Sequence, residues 1–411
     1  MTTAEPCTLA ESVRARWEAA ARLVAETRDV LDGRPGGEGE VPGALVARGW
    51  SAFLLSLDDE ELASAETDGL DARWPERTPG SLRALAEQAR RVCSMPALVQ
   101  ASAPASGLRP GETPRKRAQV DAFRALVLSV AAKATRVVDV GSGHGHLTRA
   151  IAERTENPVV GLERDAVLAG RARALSEERG PQFVVTDVLR DGLTPRPGDC
   201  LVGLHACGEL GDAMVTTVAG APGTSLALVG CCLQKRRQLS RRPLSPMAGM
   251  GETLDLSRRL LGLSNLTARD AGVEASRSDN LAARERRLAL HRLLARRWGP
   301  LRLGAEIDGL NRRLAQRDLS VLVARAFARR GVPPPSAAEI DEAARWARDA
   351  HARARRLGVP RALLARVLEV YVLLDRAMVL ERSGFVVRVG TAFPVAVSAR
   401  NLALVAAPAP R

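Results

Sequence analysis

The segment 136–150, RVVDVGSGHGHLTRA, constrains this chain more than any other. Val137, Val138 and Val140 form an apolar run that predicts a strand. Glycines follow at 141, 143 and 145, and a helical pattern begins at once. A turn this tight needs backbone angles that glycine adopts freely, and bare backbone lets a ligand come close. The helix behind the turn is expected to offer unpaired N–H groups and the positive end of its dipole. A nucleotide-like molecule should sit here.

Alternation of strand and helix continues from that point. Candidate strands lie at 136–140, 159–163, 183–186, 200–205 and 225–231, with helices at 146–155, 165–178 and 208–219. The class is therefore α/β, with a parallel Rossmann-like sheet covered on both faces and joined by right-handed crossovers. Residues 1–100 read as helical, at 10–31, 50–66 and 82–92, with a Gly/Pro loop at 32–43 and a linker at 103–114. Arg-rich helices are expected at 280–297, 306–330, 337–357 and 361–382. Two strand-like runs close the chain, 385–389 and 401–406, separated by a short connector holding Pro394. A parallel crossover needs roughly a dozen or more residues, usually with a helix. The final strand should therefore run antiparallel to its neighbour. This gives four regions: a helical N-terminal domain at 1–105, a core at 106–233, an Arg-rich helical insertion at 234–383, and a β-hairpin at 384–411 that completes the core sheet.

The 411 residues suffice for two or three domains, and 46% apolar content argues against global disorder. No apolar run approaches the ~20 residues that cross a bilayer. The start, MTTAEPCTLAE, has no basic segment followed by an apolar one, so no signal peptide is read and a cytoplasmic location is expected. Cysteines at 7, 93, 200, 207, 231 and 232 then point to reduced thiols, a metal or catalysis rather than a disulfide scaffold. Net charge is +13, carried by three lysines and 57 arginines. GC-rich codon usage would give the same arginine skew. Residues 231–300 nonetheless hold 15 Lys/Arg against 6 Asp/Glu. Such a basic region attracts polyanions, RNA first among them. With aromatics at 3%, base-stacking platforms are few.

VVDVGSGHGHL is similar to the first motif of class I S-adenosylmethionine (SAM) methyltransferases, an acidic residue followed by Gly-x-Gly-x-Gly, and the closing antiparallel strand resembles that family's fold. The resemblance implies a seven-stranded sheet with its last strand antiparallel. It also implies that Gly141, Ser142, Gly143 and Gly145 approach SAM and that Asp139 orients its ammonium. Glu163, at the end of the second strand, would accept from the ribose hydroxyls, as in NAD sites too. Asp187, after the third strand, would contact the adenine amino group. The plainer reading of both carboxylates is a solvated strand end. HACG at 205–208, CC at 231–232, PRKRAQV at 114–120 and VSARNLALVA at 397–406 resemble a narrower group, the methyltransferase-like proteins with a ribosomal RNA adenine dimethylase-like domain and related tRNA-modifying enzymes. The Asn/Asp-Pro-Pro-Tyr/Phe motif of adenine N6 methyltransferases is replaced here by HACG, which counts against that reaction.

Ligands of open α/β sheets bind beyond the carboxyl ends of the strands, which places His205, Cys207, Cys231 and Cys232 near the transferable methyl. His205 is a candidate cofactor contact and base, and Cys207 a candidate catalytic group. Three readings of the cysteines stay open: a covalent nucleophile, a metal site drawn from Cys200, Cys207, Cys231, Cys232 and His205, or small apolar residues packed at strand ends. No CxxC spacing is present, and no metal is assigned. Lys116, Cys231, Cys232, Arg400 and Asn401 are candidate substrate contacts; Lys116 reads equally as a solvated cation. His146 should begin a helix and line a pocket wall, His144 should face solvent, and His291 and His351 should lie on the surface. The expected function is methyl transfer from SAM to a macromolecular acceptor, RNA (tRNA or rRNA) first and protein second. A non-catalytic RNA-binding protein on a methyltransferase scaffold and an NAD-dependent oxidoreductase are the rivals.

Overall fold

The computed structural model describes residues 12–35, 40–99, 112–176, 180–245, 247, 254–265, 276–302 and 304–409. Most of the expected linker at 103–114, and Cys7, lie outside them. Seven strands form one sheet: β1 (Arg136–Val140), β2 (Val159–Glu163), β3 (Gln182–Val185), β4 (Asp199–Ala206), β5 (Ser225–Gly230), β6 (Phe385–Thr391) and β7 (Leu402–Pro408). Their order is β3-β2-β1-β4-β5-β7-β6. The first five pair in parallel. β7 is antiparallel to both neighbours, with Leu226 opposite Ala406 and Phe385 opposite Pro408. The connector before β7 is too short for a crossover helix, so the strand reverses, as its length required.

β1, β4, β5 and β7 are buried almost continuously, as strands covered on both faces are. On one face, α1 (Pro114–Val130) lays Val120, Phe123, Leu126 and Val127 onto a cluster that includes Val137, Val159, Val202, Val229 and Val405. Each such side chain contributes about 1.5–3 kcal/mol by leaving water. Thr113 caps α1, its Oγ1 accepting from the Lys116 N–H at 3.2 Å. The crossovers carry α2 (His146–Ala152), α3 (Ala166–Ala174) and α4 (Glu209–Ala219).

The glycines of the first turn have φ of 77° at Gly141, 56° at Gly143 and 70° at Gly145. Gly145 is doubly constrained, because an added Cβ would lie 2.5 Å from Phe183 Cζ. Gly145→Ala is expected to cost about 2–4 kcal/mol, combining backbone strain with overpacking. A lowered urea midpoint at unchanged slope would register it.

Two compact units make up the chain. The first lies within residues 1–28, 87–271 and 364–411 and holds the sheet. The second lies within 29–86 and 272–363 and is helical. Its core gathers Leu290, Leu293 and Leu294 of α5 (Arg277–Trp298) with Leu322, Phe327, Ala343 and Ala347. Many of its arginines are engaged internally. Glu66 binds Arg277 and Arg355, Glu306 binds Arg287, Glu342 binds Arg296, and Arg292 lies 4.2 Å over Trp346.

Several helices depart from the expected pattern. The 10–31 segment breaks at Thr27, whose hydroxyl donates to the Leu23 carbonyl, giving Val13–Glu26 and Arg28–Asp32. The 50–66 segment is two helices, Ser51–Leu55 and Asp59–Thr67, because Asp58 and Glu61 form a capping box. The expected helix at 306–330 is interrupted by Gly309 (φ 74°) and by the Asn311 cap, and resumes only at Leu319–Ala328. The expected pair 337–357 and 361–382 is one helix, α6 (Ala337–Arg382), running through Pro360. Pro360 forfeits one backbone bond, but Leu357, Val359, Leu363 and Leu364 are buried on either side of it and hold the helix. His291 and His351 are half-buried rather than surface residues. His291 meets the Leu301 carbonyl at 3.0 Å and His351 meets Glu285 at 3.3 Å.

Candidate active site

Asp139, one residue before the end of β1, is only 2% exposed. Its Oδ2 accepts from the Thr148 hydroxyl at 2.6 Å. Burial pushes its pKa up to about 6, against the pull of that hydrogen bond and of the Lys116 ammonium. Glu163 closes β2 and is buried, not a solvated strand end. Its two oxygens accept from the Gly143 and Asp165 N–H groups, each at 2.9 Å. The Gly141 and Ser142 N–H groups donate to the Leu162 carbonyl, and that of Gly145 to the Ser142 carbonyl.

The amides of 141, 142, 143 and 145 are consumed inside the protein and are not offered to a ligand. Beside the turn is a cleft of about 240 Å³, lined by Gly141, Glu163, Asp187, His205, Cys207 and Lys235 among others. Asp139, Ser142, Gly143, Gly145 and His146 do not line it. His146 begins α2 as expected, and with exposed His144 it borders a separate surface hollow. A dinucleotide's pyrophosphate would meet carboxylates here instead of free amides, whereas a ligand rich in donors and positive charge suits them. Among the described residues the Ser142 hydroxyl is buried without a partner.

Asp187 caps the turn after β3, accepting from the Leu189 N–H at 3.1 Å, with Arg237 3.5 Å away. His205 sits where the β4–β5 register shifts, at a φ of 68°. Its Nε2 donates to Gln119 Oε1 at 3.1 Å, which leaves Nδ1 bare, buried and unpartnered. Burial, with the Lys116 and Arg400 charges, lowers its pKa to about 4, so the ring is neutral. Lys116 is half-buried rather than solvated; burial lowers its pKa and the charge of Asp139 partly restores it.

Three sulfurs converge at the ends of β4 and β5. Those of Cys207, Cys231 and Cys232 all lie within 4.8 Å of one another. Cys207 and Cys231 stand 2.6 Å apart, and both face the His205 carbonyl, at 3.1 and 3.4 Å. Hydrogen bonds from Cys207 and Cys231 push the Cys232 thiol down, while that of Cys231 is pushed up. Cys200 belongs elsewhere, near the start of β4 and packed in the core, and neither it nor His205 joins the trio. Arg400 donates to Asn265 at 2.9 Å. Asn401 pins the hairpin, donating to the Phe393 carbonyl and accepting from Arg366.

Sequence reasoning missed Gln119 and Thr148, which orient His205 and Asp139. It also missed Asp212 on α4, which binds Arg236, Arg241 and Arg376. Arg376 also donates to the Gly208 carbonyl, fixing the start of α4. Each is paired with a residue distant in the chain or on another element, which local pattern does not show.

One known family matches part of the chain. Residues 115–238 match the model of a methyltransferase domain family. This segment is therefore similar to a methyltransferase domain. Its sheet order, with the last two strands antiparallel, and its glycine turn are those expected of the class I fold. Among solved structures the chain is similar to a TehB-like SAM-dependent methyltransferase from Corynebacterium glutamicum, at 16% identity over 26% of this chain and 60% of that one, with a TM-score of 0.23. It is also similar to magnesium protoporphyrin IX methyltransferase from Synechocystis with bound SAH, at 20% identity over 29% and 60%, TM-score 0.22. A third is a SAM-bound amino pentose methyltransferase from Micromonospora echinaspora, at 21% identity over 29% and 52%, TM-score 0.24. The chain thus spans 52–60% of the length of these matched structures.

Proposed function

We propose that the whole protein transfers a methyl group from SAM to a macromolecular acceptor, RNA in the first place. The observation that carries this reading is the acid-lined cleft beside a glycine turn whose amides are already bonded. The net charge of +13, which already counts every acidic partner, supports a polyanionic acceptor. When bound, SAM supplies an activated sulfonium methyl. Asp139 would pair with its ammonium, Glu163 and Asp187 would accept from hydroxyl and amino donors, and the Ser142 hydroxyl would find a partner. The protein's main task is alignment, holding the acceptor about 3–3.5 Å from the methyl carbon. His205 would hold a departing proton at Nδ1 while Gln119 keeps the ring in place.

The raised pKa of Asp139 gives a signed prediction. Its carboxyl is protonated below about pH 6 and cannot then pair with an ammonium. Donor affinity should rise with pH, with binding at pH 5 about tenfold weaker than at pH 7. A carboxyl raised on folding also costs the free protein stability as pH climbs from about 4 to 6, and donor binding offsets that loss. Calorimetric titration of SAM from pH 5 to 8 tests this; Asp139→Asn should flatten the profile, and a pH-independent wild type would refute the pairing.

The acceptor class is tested by labelled-methyl transfer to a cell extract treated with ribonuclease or with protease. Loss of signal with ribonuclease supports RNA, and loss with protease only makes the acceptor a protein. No transfer at all, with donor binding intact, would favour a non-catalytic binder.

A further inference from the structure

We infer that Cys207, Cys231 and Cys232 form a three-thiolate site for zinc, with its fourth coordination position open beside the donor cleft. The three residues arrive from two strand ends. Cys231 and Cys232 directly follow β5, and Cys207 follows β4 after the register shift at His205. Each offers one sulfur, and all three sulfurs fall within 4.8 Å of one another. Tetrahedral zinc at about 2.3 Å from each sulfur needs sulfurs about 3.8 Å apart. The trio spans that separation once the 2.6 Å contact between Cys207 and Cys231 opens.

Competing explanations fit less well. Three packed thiols need acceptors, and the His205 carbonyl alone receives two of them. Small apolar packing does not require three sulfurs within one coordination sphere. Soft thiolates favour zinc over magnesium or calcium. Among the described residues the site holds three protein ligands and no fourth: His205 is outside the group, and its ring nitrogens are held by Gln119 or left bare. Three ligands plus a vacancy is the pattern of zinc sites that take an exogenous ligand, whereas purely structural sites are closed by four. Cys207 also lines the donor cleft, which puts the ion within one bond of its wall. Binding forms three Zn–S bonds and releases to solvent the protons that the thiols carry. The inference does not depend on the identity of the acceptor.

The test uses the full chain, purified under reducing conditions. One zinc per chain is expected by elemental analysis. Cobalt loaded into the stripped protein should give sulfur-to-cobalt charge transfer and strong tetrahedral d–d bands, which shift when a small thiol is added at the open position. Cys207→Ser, Cys231→Ser and Cys232→Ser should each weaken zinc binding at least tenfold, while Cys93→Ser and Cys200→Ser leave it unchanged. Circular dichroism and the melting temperature check that the variants are folded. The cobalt spectrum of the wild type reports independently of any variant. A reduced protein that binds neither zinc nor cobalt at micromolar concentration overturns the site, as does full zinc content in the triple serine variant. Cobalt bands unmoved by thiol would overturn the open position.

Discussion

Asp212→Ala is expected to destabilise the first unit by about 3–5 kcal/mol, enough to unfold much of it at 37 °C. Asp212 is the common anion for Arg236, Arg241 and Arg376, and two of those guanidiniums are 2% exposed. Removing it strands buried positive charge. Burial alone would raise its pKa, but Arg376 and Arg241 outweigh burial and hold the carboxyl well below the usual range. A group depressed in this way stabilises the fold above its unfolded pKa of about 4 and loses that contribution as pH falls further. Chemical denaturation at pH 7 measures the loss. Asp212→Asn should recover little, since an amide carries no charge. A cost below about 1 kcal/mol would mean that water reaches the arginines. Asp375 would not compensate, because its oxygens already accept from the Leu244 and Ser245 N–H groups and from Arg241.

Glu163→Gln should weaken SAM binding by a hundredfold or more. Both carboxylate oxygens accept from backbone N–H groups and also border the donor cleft. Glutamine offers one acceptor and turns an NH₂ toward a donor. It therefore loosens the turn at Gly143 or at Asp165 and removes one partner for the ligand's hydroxyls. Two charge-assisted hydrogen bonds at about 1.5–3 kcal/mol each account for the magnitude. Calorimetry with SAM reads the affinity, and the melting temperature separates a loosened turn from a lost contact. Unchanged affinity would remove Glu163 from the donor site.

Much of the fold was legible in local patterns. β1 and β2 fall on the expected residues because their apolar runs end at glycine or at a carboxylate. The reversal of β7 followed from connector length alone. Glu163 could be singled out because its distance from the glycine turn is set by one helix and one strand. Other features depend on partners far away in the chain. Nothing near Gly143 indicates that its amide turns inward to Glu163 instead of toward a ligand. Gln119 meets His205 only after 86 residues of intervening fold, and Asp212 meets Arg376 after 164. Pro360 reads as a breaker until the burial around it is known. The arginines of α5 suggest a bare cationic face, yet Arg287 and Arg296 are paired with Glu306 and Glu342. Charge counts along a sequence do not record how much is neutralised within the fold.

The placement of β7 has a consequence for biosynthesis. This strand wedges between β5 and β6, yet it is translated after the long helical excursion that follows β5. Until it emerges from the ribosome, the polar backbone along one side of β5 has no mate, and Leu226 and Leu228 lack their partners Ala406 and Leu404. The nascent chain therefore exposes a sticky, strand-ready margin from the completion of β5 until β7 follows it, and such margins recruit other chains. Productive maturation depends on how quickly the last hairpin docks, which makes that late step the point where overproduction or heat would divert the protein into aggregates.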